Sequence, residues 1–430
     1  MARAVSILRV NLGTAVLCCT AMFAAILVVP AAHAQTFTVL HTFSGGSDGG
    51  HPGPLTMDAE GNLYGAASLG GYEGADCQFL GENGCGAVFE MRRAAHGWVF
   101  TPLYTFQGGA DGARPGPVVF GPDGALYGTT MAGGSCQAFQ YGCGTIFKLT
   151  PPPSFCRTSL CTWVKTSLYT FAGGNDGWNS GGDDTGPVAF GPDGSMYGAT
   201  WYGGYYGFGT VFKLTPANGG WTESVIHSFA DNGYDAYFPS DGVVLDQAGN
   251  VYGVSYGGGP NYAGTVYELS PYGSGWTETI LHAFNDANNL EPKGGLIFDK
   301  AGNLYGTTTN TYGDRNGNVF ELASDNGSWT YSVLYSFTDG LSGTGPKAPL
   351  TMDALGNIYG TVWDAPSVGS VFKLTPYNGG WTETNLYVFT GQEDGGFPVS
   401  NVLFDGSGNL YGSASSYGGD NWGVLWEITP

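Results

Sequence analysis

The sequence predicts an all-β chain folded as a seven-bladed β-propeller of four-stranded blades. Three observations carry this expectation. One tyrosine-centred segment recurs seven times. The chain is rich in Gly and aromatic residues and shows no sustained apolar pattern at helical spacing. Its two ends also read as complementary parts of a single blade.

The first 34 residues read as a signal peptide. Arg3 and Arg9 give a positive start, an apolar stretch runs from about Ala15 to Val29, and Ala32-His33-Ala34 offers a small-x-small cleavage site before Gln35. A permanent membrane anchor is the competing reading, and the short apolar run and small-residue site favour cleavage. Lipidation of Cys18 is rejected, because Leu17 stands where a small residue is expected. Residues 35–430 are then one propeller domain, and no other apolar run approaches the roughly 18–20 residues that span a bilayer. Export implies a secreted or cell-envelope location, extracellular or periplasmic, with no membrane span after cleavage.

Charge narrows the partners. The formal net charge of −21 becomes −23 once the leader, which holds Arg3 and Arg9 and no acid, is removed. Such a surface repels phosphate backbones, which excludes nucleic acid and anionic membranes as expected partners. The domain is expected to be monomeric.

The repeated segment, Asn-Leu-Tyr-Gly with variants, places equivalent tyrosines at Tyr64, Tyr127, Tyr197, Tyr252, Tyr305, Tyr359 and Tyr411, spaced by 63, 70, 55, 53, 54 and 52 residues. Each unit reads in the same order. An apolar run (Val118-Val119-Phe120) meets a tight turn (Gly121-Pro122-Asp123-Gly124), and a second strand follows over residues 125–130. After a Gly-rich loop comes Thr145-Ile146-Phe147-Lys148-Leu149, then a last strand over residues 163–171. Four strands in about 50 residues match a propeller blade. A β-solenoid is the rival architecture, but its coils are usually shorter.

Ring closure is legible at the ends. Six fourth strands carry a Trp eight residues before a closing Phe, from Trp98/Phe106 to Trp381/Phe389. Eight residues before Phe43 lies Gln35, the expected first mature residue. The last unit has only three strands, the third over residues 423–429, so residues 35–43 supply its fourth and cover an open edge.

The repeats resemble the GloVer-type (HAF-type) extracellular tandem repeats of bacterial surface proteins, the choice-of-anchor repeat family. The resemblance rests on Gly-Asn-Leu-Tyr-Gly at residues 302–306, Gly-Thr-Val-Phe-Lys-Leu-Thr-Pro at 209–216 and Gly-Gly-Trp-Thr-Glu-Thr at 379–384. It covers essentially all of residues 35–430. It implies export and often a C-terminal anchor, a pattern from which a chain ending at Pro430 after a strand departs. It brings no catalytic residues with it.

Six cysteines follow the leader, in local pairs: Cys77 with Cys85, Cys136 with Cys143, and Cys156 with Cys161. An oxidising compartment makes disulfides the expectation, stiffening long loops and adding little to the core. Zinc is disfavoured, because neither CxxC pairs nor nearby histidines accompany them. His41, His227 and His282 stand two residues before a closing Phe, where other blades have Tyr, and read as packing replacements. Gly45-Gly46-Ser47-Asp48-Gly49 matches a nucleophile pattern, but it lacks the strand-to-helix elbow that motif needs.

Two sets of repeated acids differ. Asp58, Asp246, Asp299, Asp353 and Asp405 begin the tight turns and read as turn caps. Asp48, Asp111, Asp176 and Asp394 lie in the Gly-rich connections between blades, with Asp235 shifted by one residue and Asn289 and Ser342 in two others. Turn capping is the simpler role for them, and a calcium site at the channel mouth the functional alternative.

The loops between second and third strands carry aromatic residues on the face shared with the inter-blade connections: Trp201, Tyr202, Tyr205, Tyr206 and Phe208; Tyr256 and Tyr262; Tyr312; Trp363; Tyr417 and Trp422. Many such rings pack against neighbouring blades. Flat rings beside hydrogen-bonding groups also suit a sugar. The expected function is non-catalytic binding of carbohydrate or a cell-surface partner. A carbohydrate-active enzyme, lyase or hydrolase, at the central channel is the alternative, with Arg114 and His51 the nearest catalytic candidates. A purely structural envelope component is a third reading.

Overall fold

The repeated tyrosine segment is a turn locked to a strand. In blade one, Asp58 Oδ1 accepts the amides of Glu60 and Asn62 at 3.0 and 2.8 Å. Its Oδ2 accepts the Asn62 side chain at 2.8 Å and the Tyr64 hydroxyl at 3.1 Å. The same set recurs at Asp246/Asn250/Tyr252, Asp299/Asn303/Tyr305, Asp353/Asn357/Tyr359 and Asp405/Asn409/Tyr411. Short acidic side chains favour such turns because they satisfy backbone donors locally. The expectation that these five acids cap turns is therefore met.

The glycine after each tyrosine answers to a neighbour's ring. A Cβ on Gly306 would lie 2.5 Å from Phe320 Cζ, and the equivalent glycines face Phe89, Phe147, Phe212, Tyr267, Phe372 and Trp426 in the same way. All seven third-strand aromatics are fully buried. The motif is a packing solution: the second strand gives up a side chain so the third can bury a ring.

The computed structural model describes residues 35–430 except 80–81, 137–140, 154–161, 179–185, 286–290, 310–316, 326, 338–344 and 365–367. The proposed signal peptide, Tyr312 and the Cys156/Cys161 pair lie outside the described residues. Seven antiparallel sheets form the blades. Blade one comprises Gly50–Met57, Leu63–Leu69, Ala87–Ala94 and Gly97–Thr105; blade two runs from Ala113–Phe120 to Val164–Thr170. Blade three spans Ala189–Phe190 to Gly220–Ser228, and blade four Ala236–Leu245 to Gly275–Ala283. Blade five opens with a split first strand, Glu291–Pro292 and Ile297–Phe298, and ends at Ser328–Ser336; blade six spans Thr351–Met352 to Gly380–Val388.

Blade seven joins both ends of the chain. Leu403–Phe404, Leu410–Ala414 and Val424–Thr429 pair in order, and Thr36–Thr42 completes the sheet antiparallel to the third strand, from Thr36 opposite Thr429 to Thr42 opposite Val424. The inner rim closes as well. The Asn401 side chain accepts the Leu55 amide at 3.1 Å and donates to the Leu55 carbonyl at 3.2 Å, tying blade seven to blade one.

The core is a set of clusters between blades rather than one centre. Tyr64 and Val88 of blade one pack with Val118, Leu126 and Phe147 of blade two, and similar clusters fill the other junctions, including Phe43, Leu55 and Phe89 with Tyr411 and Leu425. The Trp that opens each fourth strand packs on the repeat tyrosine of the preceding blade, as in Trp98/Tyr411, Trp276/Tyr197 and Trp329/Tyr252. Cys77–Cys85 and Cys136–Cys143 are disulfide-bonded. Cys77, Cys85 and Cys143 are wholly buried among these clusters, so the bridges belong to the packed junctions rather than to outer loops alone. Among the described residues no helix is long and apolar enough to cross a membrane.

Candidate functional site

Residues within or just before the first strands line one opening of the ring, and in four blades a residue there holds an uncommon backbone. His51, Arg114, Phe238 and Phe397 have φ of 54°, 56°, 54° and 53°. Each precedes a proline: Pro52, Pro115, Pro239 or Pro398. A left-handed conformation costs a non-glycine residue roughly 1–2 kcal/mol. Contacts to the preceding blade hold it in place. The four amides donate to the carbonyls of Trp422, Cys85, Phe208 and Val368 at 2.8, 2.9, 2.9 and 2.6 Å. Each proline ring then lies against a glycine of that blade, Gly423, Gly86, Gly209 or Gly369, where a Cβ would fall 2.3–2.7 Å from the proline Cδ. Backbone strain kept in place by such contacts is concentrated at functional positions in proteins.

A cavity of about 330 Å³ opens among these residues. Its charged lining is His51, Arg114, Lys293, Lys347 and Asp241, and prolines, Trp363, Phe397 and Val399 make up much of the rest. Three of the chain's 14 Lys and Arg therefore meet at one opening of a strongly acidic protein. Asp241 is tied to blade five, accepting the Gly295 amide. The lysines lie over rings: Lys347 Nζ is 3.7 Å from the Trp363 centroid, and Lys293 Nζ is 5.0 Å from Tyr256 and 5.6 Å from Trp201.

The expected aromatic positions divide into two groups. Trp201 stacks on Phe238 at 5.6 Å and meets Tyr256 at 5.6 Å. Trp363 packs on Phe397 at 4.8 Å, Tyr417 on Phe397 at 5.6 Å, and Trp422 on His51 at 5.6 Å. These five gather around the strained residues Phe238, Phe397 and His51, and Trp363 among them lines the opening. Tyr202 also meets Phe238 at 5.6 Å, and Tyr205, Tyr206 and Tyr262 stand further into solvent, with Tyr205 75% exposed. Sequence reasoning did not single out Phe238, Phe397, Asp241, Lys293 or Lys347. A signal was present for the first two, in the recurrence of a bulky residue before proline in the inter-blade connection.

The four connection acids expected as possible calcium ligands each serve their own turn. Asp48 accepts the Ser44 amide and hydroxyl at 2.9 and 2.5 Å, and Asp176 the Ala172 amide at 2.7 Å and Tyr169 hydroxyl at 2.9 Å. Asp394 accepts the Thr390 amide and the Tyr387 hydroxyl, and Asp111 binds Gln107, Tyr104 and Lys165. They sit in separate junctions and do not converge. Among the described residues the one group of three convergent His, Cys, Asp or Glu donors is His227, Asp235 and Glu278.

The histidines before the closing Phe pack as expected of tyrosine replacements. His41 stacks on Phe100 at 3.8 Å and His282 on Tyr331 at 3.9 Å, as Tyr387 stacks on Phe37 at 3.7 Å. Burial lowers the pKa of both His41 and His282, with Asp48 opposing it at His41. Burial also raises Glu223, to about 7, with the charge of Asp176 adding to it. Glu278 is driven well above the usual carboxylate range, first by burial and then by Asp235.

Fold and opening together define a propeller built from tandem repeats, with an aromatic and basic pocket at the mouth of its channel. The chain belongs to the Gloeobacter/Verrucomicrobia repeat family, whose model matches residues 136–368 and 275–430. Among solved structures it is similar to a gluconolactonase from Xanthomonas campestris, at 16% identity over 72% of this chain and 84% of that one, with a TM-score of 0.38. It is also similar to the PQQ-bound form of an aldose sugar dehydrogenase from Streptomyces coelicolor, at 11% identity over 92% and 98%, with a TM-score of 0.45. No curated protein matches the sequence.

Proposed function

We propose that the chain is an exported, non-catalytic binding propeller that recognises carbohydrate on a cell surface or in its surroundings, through the loop-rich face. One observation carries this reading: rings and basic side chains converge on a single ligand-sized opening, lined by Trp363 and Phe397 beside Lys347, Lys293 and Arg114. Rings offer flat apolar faces to a sugar, and the cations favour one bearing carboxylate or sulfate. The channel-enzyme reading is weaker. Hydrolysis by paired carboxylates needs two of them about 5–10 Å apart, and the described lining contains one, Asp241. The leader read at residues 1–34 supports export.

Purified protein titrated with neutral and uronic-acid or sulfated polysaccharides tests this. Saturable binding is expected, strongest for the acidic glycans, with the glycan chain length unchanged and at least about tenfold weaker binding by Trp363→Ala, a loss of roughly 1.4 kcal/mol. Shortening of the glycan would replace the binding reading by the enzymatic one. No binding across the panel would move the search to protein partners.

A further inference from the structure

Among the described residues, five junctions between blades bring the same three positions together. They are the aromatic residue two before a closing Phe, the acid of the following connection, and the residue two after the Trp of the next fourth strand. At one junction these are Tyr169, Asp176 and Glu223, where the Tyr169 hydroxyl bonds Asp176 at 2.9 Å and reaches Glu223 at 3.5 Å. At three others the third position holds Phe100, Lys165 or Phe37, which stack or form an ion pair, and it holds Tyr331 and Glu383 in the two blades whose connection has Asn289 or Ser342 in place of the acid. Between blades three and four, the three positions hold His227, Asp235 and Glu278.

Only there do three metal-ligating side chains converge among the described residues. His227 Nε2 lies 3.2 Å from Asp235 Oδ1 and 3.9 Å from Glu278 Oε2, and the three donor atoms lie within 4.8 Å of one another. Each carboxylate is anchored through its other oxygen. Asp235 Oδ2 accepts the Ala230 amide at 2.9 Å, and Glu278 Oε1 accepts the Ala236 amide at 3.3 Å. The imidazole is braced edge-on against Phe229 at 4.7 Å. The second oxygen of each carboxylate and the ring nitrogen thus meet from rigid supports, with Asp235 Oδ1 in a hydrogen bond to the ring that a bound ion would replace. Their side chains are 20%, 11% and 13% exposed, so the point is shielded yet reachable from solvent.

We propose that His227, Asp235 and Glu278 form a binding site for a divalent transition-metal ion of the zinc type. One imidazole nitrogen and two carboxylate oxygens suit such an ion, with solvent completing its coordination. Calcium fits poorly, because it takes six to eight oxygen ligands and gains little from imidazole. The ion would fasten the fourth strand of blade three, the connection and the fourth strand of blade four, acting as a clip across one junction.

The test is a titration of chelator-treated full-length protein with Zn²⁺, read by calorimetry, with melting followed in Zn²⁺, in Ca²⁺ and in EDTA. The expected result is one saturable Zn²⁺ site per chain, a melting temperature raised by Zn²⁺ and restored by EDTA, and little response to Ca²⁺. His227→Tyr recreates the neighbouring Tyr169/Asp176/Glu223 arrangement, so the fold is kept, and Zn²⁺ affinity should drop at least about a hundredfold. Glu278→Gln should also weaken binding. Absence of a stoichiometric Zn²⁺ site in the wild type, unchanged binding by His227→Tyr, or equal response to Ca²⁺ would overturn the assignment.

Discussion

Glu223 shows how one side chain can set the pH response of a blade junction. Burial and the charge of Asp176 raise its pKa from an ordinary value of 4.5 to about 7, with the Tyr169 hydroxyl opposing the shift. Between those two values the folded chain holds more protons at this site than the unfolded chain. Stability from this group is therefore fully present below about pH 4.5 and is lost as pH rises through 7. Glu223→Gln should remove that dependence. Melting temperatures measured across pH 4 to 8 should coincide for variant and wild type at the acid end. The variant should be the more stable at pH 8. A constant offset across the range would contradict this. Residue-scale roles of the turn acids were open to inspection beforehand, because an Asp capping its own turn is a local interaction. The raised carboxyls were not, because Glu223, on a fourth strand, and Asp176, in the preceding inter-blade connection, stand 47 residues apart and meet only across a junction.

At the scale of elements, the first strand matters most. Residues 36–42 pair along the third strand of blade seven and bring Phe37 onto Tyr387 and Phe43 into the junction with blade one. Deleting residues 35–43 would expose the edge of Val424–Thr429 and open two aromatic clusters at once. A sharp fall in melting temperature is expected by circular dichroism, and a synthetic peptide of residues 35–43 should restore part of it. An unchanged melt would mean that the inner clasp of Asn401 on Leu55 closes the ring unaided. This closure was readable in the sequence from the eight-residue Trp-to-Phe spacing and the missing fourth strand. The clasp was not, since nothing local to Asn401 points to a strand 346 residues away.

For the whole molecule, charge is unevenly distributed. The formal net charge is −21, yet Arg114, Lys293 and Lys347 line the channel mouth. Excess like charge destabilises a compact chain, and salt relieves it. Raising NaCl from about 0.01 to about 0.1 M shortens the Debye length from about 30 to about 10 Å. The melting temperature should rise over that interval. A fall would show that pairs such as Lys165–Asp111 and Arg93–Asp405 outweigh the general repulsion. Binding of an acidic glycan at the mouth should weaken over the same interval, because its attraction to the cations is screened.

The sequence by itself determined the all-β class, the seven repeats, the paired termini and the turn-capping acids, because each rests on spacing within a repeat or on chemistry within a few residues. Only the tertiary structure decided what the repeats do for one another. The glycine after each tyrosine serves a ring on the next strand, the opening Trp serves the previous blade, and the left-handed residues before proline answer to carbonyls of the neighbouring blade. The basic mouth and the His227 site belong to the same class. The mouth assembles from residues of several blades that share one place only when the ring closes, and the His227 site from two consecutive blades that meet only across their junction.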